Sequence, residues 1–208
     1  MALTEKDFKR SVFVNCPFDG NYMELLRPLL FTLLYSGFIP RIALESSDSS
    51  ITRISKIVDL ITQSRYAIHD ISRCQSTGKG ELFRFNMPFE LGLDIGCKLF
   101  KNGRWTAKKC LILEAEKFRY QAALSDLSNS DIADHNNDPE TLLRKIRNWL
   151  VQDCEACLPA PTVIWGRFLD FMADNYDRLA KEGWTKKDIA SQPMKETLRD
   201  MTSWIKKI

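Results

Sequence analysis

Short apolar runs alternate with helical repeats along the first two thirds of the chain. The apolar runs are rich in β-branched and aromatic residues, as buried strands are. Between them, apolar residues recur every three or four positions, as they do in amphipathic helices. Strands are predicted at residues 11–18, 39–44, 66–71 and 108–114, with helices at 22–35, 51–63, from 86 onward and at 138–154, and a short edge strand near Ile132. This alternation predicts a doubly wound, flavodoxin-like α/β fold, with a parallel sheet and helices on both faces.

The C-terminal quarter follows a different pattern. A Leu-Pro-Ala-Pro sequence at 158–161 is typical of a linker, and two amphipathic helices rich in Trp, Phe and Met are predicted after it, at 162–181 and 185–208. We therefore predict an α/β domain of residues 1–157 and a C-terminal helical extension of residues 158–208. Because the apolar faces of these helices are too large for free helices, we expect them to pack on the core or on another copy of the chain.

Composition narrows the range of functions. The chain has 208 residues and a formal net charge of +3, with acidic and basic residues mixed along it. This balance gives little support to a dedicated nucleic-acid surface. No apolar run is long enough to span a membrane, and the first residues lack a signal-peptide pattern. Six cysteines without a secretion signal indicate reduced thiols. We therefore expect a cytoplasmic protein that binds neither nucleic acid nor membrane.

Residues 84–96 carry the strongest candidate chemistry. Pro88 suits the first turn of a helix, where no N–H is needed, and Asn86 just before it is a candidate N-cap. Glu90 then falls in the first turn of an otherwise apolar helix, where the helix dipole favours a carboxylate. This position lies at the carboxyl edge of the predicted sheet, where α/β proteins bind ligands. Glu90 is therefore either a helix cap or a functional carboxylate.

Loops at the carboxyl ends of successive strands meet at one edge of a doubly wound sheet. Here they contribute carboxylates, amides and an aromatic ring, from Asn15, Asp19, Tyr22, Asp70, Asn86 and Glu90. Paired carboxylates suit chemistry at a sugar carbon: one can stabilise or trap an oxocarbenium-like centre while the other acts as a base or binds hydroxyls. Each acid also has a local alternative, Asp19 as a turn residue and Asp70 as a cap at a strand end.

Other chemistries find less support in the sequence. The histidines, His69 and His135, form no metal-ligand spacing with Cys or Asp, and the single Cys-x-x-Cys at 154–157 lacks the second pair that zinc needs. Cys16 is only a weak candidate nucleophile. There is no P-loop or dinucleotide-binding glycine motif. Five basic residues could contact a phosphate group, namely Arg53, Lys56, Arg65, Arg73 and Arg84. We predict no metal and no cofactor.

A third strand that ends in Asp70, together with Phe89-Glu90-Leu91-Gly92 on a helix, resembles the superfamily that joins TIR domains and nucleoside 2-deoxyribosyltransferases. The resemblance covers about residues 11–150, in the order of elements rather than in long identity. It implies that Glu90 is the carboxylate that acts on the sugar, that Asp70 is the second acid, and that the loop from Asn15 to Tyr22 binds base and sugar. It also implies that stand-alone bacterial proteins of this kind serve as effectors of anti-phage defence.

The expected function is therefore cleavage or transfer at an N-glycosidic bond. NAD, another nucleotide or a deoxynucleoside would be the substrate, bound with the help of Asn15, Asp19, Tyr22, Arg84 and Asn86. We also expect a homo-oligomer, with a protein of a defence system as a further partner. The alternative is a catalytically silent TIR-like module that senses a nucleotide or holds a partner protein. A response-regulator-like domain has the same fold, but no convincing Lys follows the last strand, so it ranks lower.

Overall fold

A computed structural model describes residues 4–45, 47–74, 85–122, 124–127 and 130–208. Its centre is a five-stranded, entirely parallel sheet with the spatial order β2-β1-β3-β4-β5. The strands are β1 (Ser11–Asn15), β2 (Ile39–Ile42), β3 (Tyr66–Asp70), β4 (Lys109–Glu114) and β5 (Ile132–Asp134). The predicted doubly wound α/β fold is confirmed, including the short edge strand at Ile132.

The described residues form eight α-helices, of which the first precedes β1 and the others connect or follow the strands. They are α1 (Glu5–Phe8), α2 (Met23–Tyr35), α3 (Arg53–Thr62), α4 (Asn86–Phe100), α5 (Pro139–Asp153), α6 (Pro161–Lys181), α7 (Lys186–Ala190) and α8 (Met194–Ile205). The predicted start of α5 is confirmed, because the Asp138 carboxylate accepts a hydrogen bond from the Thr141 N–H at 2.7 Å and Pro139 opens the helix. None of the described helices is both long and apolar enough to cross a membrane.

The helices form layers on both sides of the sheet, as the alternation of side chains along a strand requires. Phe13 of β1 packs with Ile57 of α3 and Leu93 of α4 on one side. Its neighbours Val12 and Val14 belong to the larger core on the other side, with α2 and α5. β1 is therefore buried on both faces, which explains why the three residues at its centre, Val12 to Val14, are all apolar.

The C-terminal helices cover α2. Phe31 of α2 contacts the rings of Phe168 and Phe171 on α6, with ring centroids 5.6 and 5.7 Å apart, and Met201 of α8 is buried in the same core. The described α2 is thus enclosed between the sheet and the C-terminal helices, which is why it is apolar on nearly every side. The residues predicted to form two units share one hydrophobic core.

Two predicted helix boundaries were wrong. The helix expected at 185–208 is broken into α7 and α8, because Pro193 lacks an N–H and disfavours helical backbone in the residue before it. Asn86 is not an N-cap: it is the first residue of α4, and Phe85 occupies the cap position with helical dihedral angles. Glu90 consequently lies beyond the first turn, where the helix dipole acts on it less than we predicted.

Candidate functional site

The spatial order of the strands creates a switch point between β1 and β3. The chain leaves β1 towards β2 on one side and then returns to place β3 on the other side. Ligands of doubly wound proteins bind in the crevice outside the carboxyl ends of two such strands. Asn15 ends β1 and Asp70 ends β3, with Asn15 in register with His69. Both residues therefore lie where this architecture places a ligand.

Asp70 is fully buried and held by three groups. Its Oδ2 accepts a hydrogen bond from the Tyr22 hydroxyl at 2.5 Å and lies 3.1 Å from His135 Nε2, in a contact that is not an aligned hydrogen bond. Its Oδ1 accepts the Ser72 N–H at 2.9 Å. Burial alone would raise the pKa of Asp70, but His135, Ser72 and Tyr22 together outweigh it and lower that pKa. Asp70 therefore remains an anion inside the protein.

His135 reaches Asp70 from the loop after β5. The Asn137 N–H donates to His135 Nδ1 at 3.1 Å, so a neutral His135 carries its proton on Nε2, the nitrogen that faces Asp70. His135 is thus a partner of the sheet-edge carboxylate and has no observed role as a metal ligand.

A second polar chain runs from Asn15 into the protein. The Asn15 Nδ2 donates to the Met87 carbonyl at 2.9 Å and lies 3.0 Å from His69 Nδ1. Since Nδ2 supplies the hydrogen, the proton of a neutral His69 is on Nε2, 3.3 Å from Asp94 Oδ2. Asp94 Oδ1 is in turn 2.9 Å from the buried Lys108 ammonium. This series of polar contacts connects α4 to β1 and β3.

Glu90 lies on the same face of α4 as Asp94, one turn earlier. Its residue is only 5 % exposed, and Oε1 is 3.6 Å from a guanidinium nitrogen of Arg53, whose side chain is 55 % exposed. Burial raises the pKa of Glu90, and Arg53 opposes that shift without cancelling it. A carboxylate with one long ion-pair contact and little water around it gains a proton more easily than an ordinary glutamate does.

Cys16 shows that the two acids share one neighbourhood. The pKa of its fully buried thiol is raised well above the usual value, first by burial and then by the charges of Asp70, Glu90 and Asp19. All three carboxylates therefore lie within electrostatic reach of one sulfur atom just after β1. The same raised pKa makes Cys16 a thiol at neutral pH, which removes the basis for Cys16 as a nucleophile.

The remaining predicted residues have different positions. Asp19 caps the 3₁₀ turn Gly20–Tyr22 by accepting the Tyr22 N–H at 2.9 Å, which agrees with its alternative as a turn residue. Asn86 is exposed at the start of α4. Arg84 lies outside the described residues. Asn15, Tyr22, Asp70 and Glu90 are buried at or near the sheet edge.

Sequence reasoning missed the partners of these groups. His135, Asp94 and Lys108 were not proposed, although each contacts a residue of the site or its supporting chain. The spacing of Glu90 and Asp94, four residues apart on one helix, was the available signal, because it places two acids on the buried face. Nothing local indicated His135 or Lys108. Among the described residues, no three His, Cys, Asp or Glu side chains are grouped so that they could hold a metal ion.

Comparisons with known proteins return no relative of this chain. No family model, no curated protein and no solved structure matches it. The site therefore has to be interpreted from its own chemistry.

Proposed function

We propose that this protein cleaves or transfers at an N-glycosidic bond of a nucleotide, with NAD or a deoxynucleoside derivative as substrate. The observation that carries the proposal is a pair of buried acids at the switch point whose pKa values move in opposite directions. Burial raises the pKa of Glu90, whereas His135 and the other partners of Asp70 lower the pKa of Asp70. Two carboxyl groups whose pKa values differ in this way can take different roles in one reaction.

Glu90 is the proposed group that acts on the sugar carbon. As a carboxylate it would stabilise or trap the oxocarbenium-like centre that forms when the base departs. Arg53 beside it is half-exposed and could contact a phosphate group of the substrate. Asp70 has no exposed surface. It would therefore act as a permanent anion that orients Tyr22 and adds negative potential where positive charge develops.

One observation favours the alternative, a nucleotide-binding module without turnover. Tyr22 and Asp70 are both fully buried and bonded to each other, so neither presents a free polar atom to a ligand. A site that only binds a nucleotide needs a complementary surface at the edge of the sheet, but it does not need a pair of catalytic carboxylates. The two functions predict the same ligand class and differ in whether a base is released.

The test is incubation of the protein with NAD, deoxynucleosides and their phosphates, followed by chromatographic detection of free base. We expect release by the native protein and a loss of orders of magnitude in Glu90→Gln, as removal of a nucleophile or general base causes. Glu140→Gln, in the first turn of α5, removes a carboxylate that also has an arginine partner, Arg144, and should leave the rate unchanged. Thermal stabilisation by a nucleotide without base release, even under crowding, would assign the binding module instead.

The wider setting rests on the resemblance alone. We propose a cytoplasmic homo-oligomer that works as an effector of bacterial defence, with a protein of that system as partner. Measuring survival of phage-challenged cells that express the native chain or Glu90→Gln tests this setting. Equal survival would contradict a defence role that depends on the proposed chemistry.

A further inference from the structure

The outer surface of α4 is apolar and uncharged. Phe89, Leu99 and Phe100 are 58 %, 67 % and 84 % exposed, and Gly92 and Gly96 lie between them on the same side of the helix. These five residues, the α4 stripe, fall within about 100° of the helix circumference. Glu90 and Asp94 point to the opposite, buried side. A helix of a soluble protein normally turns charged or polar residues to this outer side.

The two helical layers differ in how they are covered. On the α2 side, α6 and α8 form an additional layer that buries Phe31. On the α3 side, the exposed fractions show that nothing in the described part of the chain covers the α4 stripe. The neighbouring helix α3 adds exposed Ile54 and Val58 to this layer. Both helices on this side of the sheet therefore expose apolar side chains.

No contact within the described part of the chain explains why residue 92 is a glycine. Glycine destabilises a helix interior relative to alanine. A Cβ atom built on Gly92 would meet no atom within 4 Å, and one on Gly96 would only touch the Phe100 ring at 3.6 Å, an ordinary contact. The glycines instead leave a shallow depression between two protruding phenylalanines. Such a surface allows a second helix to approach closely.

We infer that the α4 stripe is the contact surface of a symmetric dimer, with α4 of one copy antiparallel to α4 of another. The stripe is self-complementary in this direction, because Gly92 and Gly96 lie on either side of the midpoint between Phe89 and Phe100. Under a two-fold axis, Phe89 of each copy meets Phe100 of the other, and the glycines meet at the centre. The same arrangement therefore forms both aromatic pairs and brings the two α4 helices into close contact.

Charge and area favour a second copy as the occupant. The stripe contains no charged residue, so a contact between identical surfaces brings no like charges together, and a charged partner would find no counter-charge. Phe89 and Phe100 alone expose roughly 300 Å², taking about 200 Å² for a whole phenylalanine. A stable interface buries about 800 Å² on each partner. These two rings thus supply over a third of that area, and Leu99 adds to it.

The inference does not depend on the proposed chemistry, and analytical ultracentrifugation of the full chain over a wide concentration range tests it. We expect a dimer for the native protein. Phe100→Glu should weaken the dimer at least about tenfold in Kd and leave the Tm of the monomer unchanged, since the side chain is exposed. Leu169→Glu, an exposed apolar position on α6, is the matched control and should keep the dimer.

Glycine variants give a sharper test. Gly92→Ala should raise the Tm of the monomer and at the same time weaken the dimer, because the added methyl group stabilises the helix and separates the two helices. Gly166→Ala on α6 also adds a Cβ that meets no atom within 4 Å, so it should raise the Tm without affecting assembly. A native protein that is monomeric at every concentration, or a dimer that persists unchanged in Phe100→Glu, would overturn the inference.

Discussion

Tyr22 and Asp70, 48 residues apart in the chain, share a buried hydrogen bond of 2.5 Å from the tyrosine hydroxyl to the carboxylate. The bond joins the loop after β1 to the end of β3 across the switch point. A hydrogen bond to a charged group contributes more than a neutral one, and its loss leaves a buried anion with one donor fewer. The pair therefore stabilises the sheet edge on which the proposed site depends.

Tyr22→Phe removes this hydroxyl and should destabilise the protein by about 1.5–3 kcal/mol. Since 1 kcal/mol corresponds to about 2–4 °C in a chain of this size, thermal denaturation can measure the loss. Tyr176→Phe is the matched control, because Tyr176 is exposed on α6. Equal melting temperatures for the two variants would contradict a stabilising role for the Tyr22–Asp70 bond.

Asp70→Asn should destabilise the protein at neutral pH and lower any activity, but less severely than Glu90→Gln lowers activity. The pKa of Asp70 is lowered in the folded state, so its ionised form stabilises the protein above the unfolded value of 3.8. That contribution is lost as the pH falls through the folded pKa. The difference in unfolding free energy between native and variant should therefore shrink in strong acid. A difference that is constant from neutral to strongly acid pH would contradict this linkage.

Glu90→Gln should show the opposite pH dependence. Burial raises the pKa of Glu90 in the folded state above its unfolded value of 4.5. At a pH between the unfolded and the folded pKa, the folded state therefore binds more protons than the unfolded state. The native protein thus loses stability as the pH rises through this interval, and the Gln variant does not. Relative to native, the Tm of Glu90→Gln should rise from acid to neutral pH. A variant that is less stable than native at neutral pH and retains activity would show that Glu90 is only structural.

Asp94 and Lys108 form a buried ion pair that a double-mutant cycle can measure. Removal of one charge, as in Asp94→Asn or Lys108→Met, leaves the other charge buried without its counter-charge, which should cost about 3–5 kcal/mol. The double variant Asp94→Asn/Lys108→Met should cost less than the sum of the two single changes. Denaturant unfolding of the four proteins tests this. Strictly additive losses would contradict the coupling.

The thiols should differ in reactivity with a disulfide reagent. Cys157 is exposed, whereas burial raises the pKa of Cys110 to about 11 and the pKa values of Cys74 and Cys154 to about 12. We expect one rapidly reacting thiol in the native protein and six after denaturation. Cys157→Ser should remove the rapid phase. A second rapid thiol would contradict the raised pKa values of the other five thiols.

The attachment of the C-terminal helices can be tested at one ring. Phe171→Ala should cost about 3–5 kcal/mol, because the ring is buried against Phe31 of α2. Leu169→Ala, on the exposed side of the same helix, should change the unfolding free energy by no more than about 0.5 kcal/mol. Equal, small losses would mean that α6 does not contribute to the core in solution.

Local patterns in the sequence were enough to predict the elements of the sheet. The strand Ser11–Asn15 has three consecutive apolar residues at its centre because both faces of a parallel sheet are covered, and Asp138 followed by Pro139 has the residue preferences of a helix start. The same reasoning placed Asp70 and Glu90 near one edge. These features depend on residues close together in the chain, so they can be inferred without knowing the fold.

Only the tertiary structure decided which polar groups meet. His135 reaches Asp70, and Lys108 reaches Asp94, through contacts between elements far apart in the sequence, and no periodicity records such pairs. The burial of Glu90 depends on how α4 packs against α3 and the sheet, because an acid in a helix is charged or readily protonated according to its surroundings. Sequence determined the order and apolar faces of the elements, whereas distances between those elements determined the electrostatics of the site.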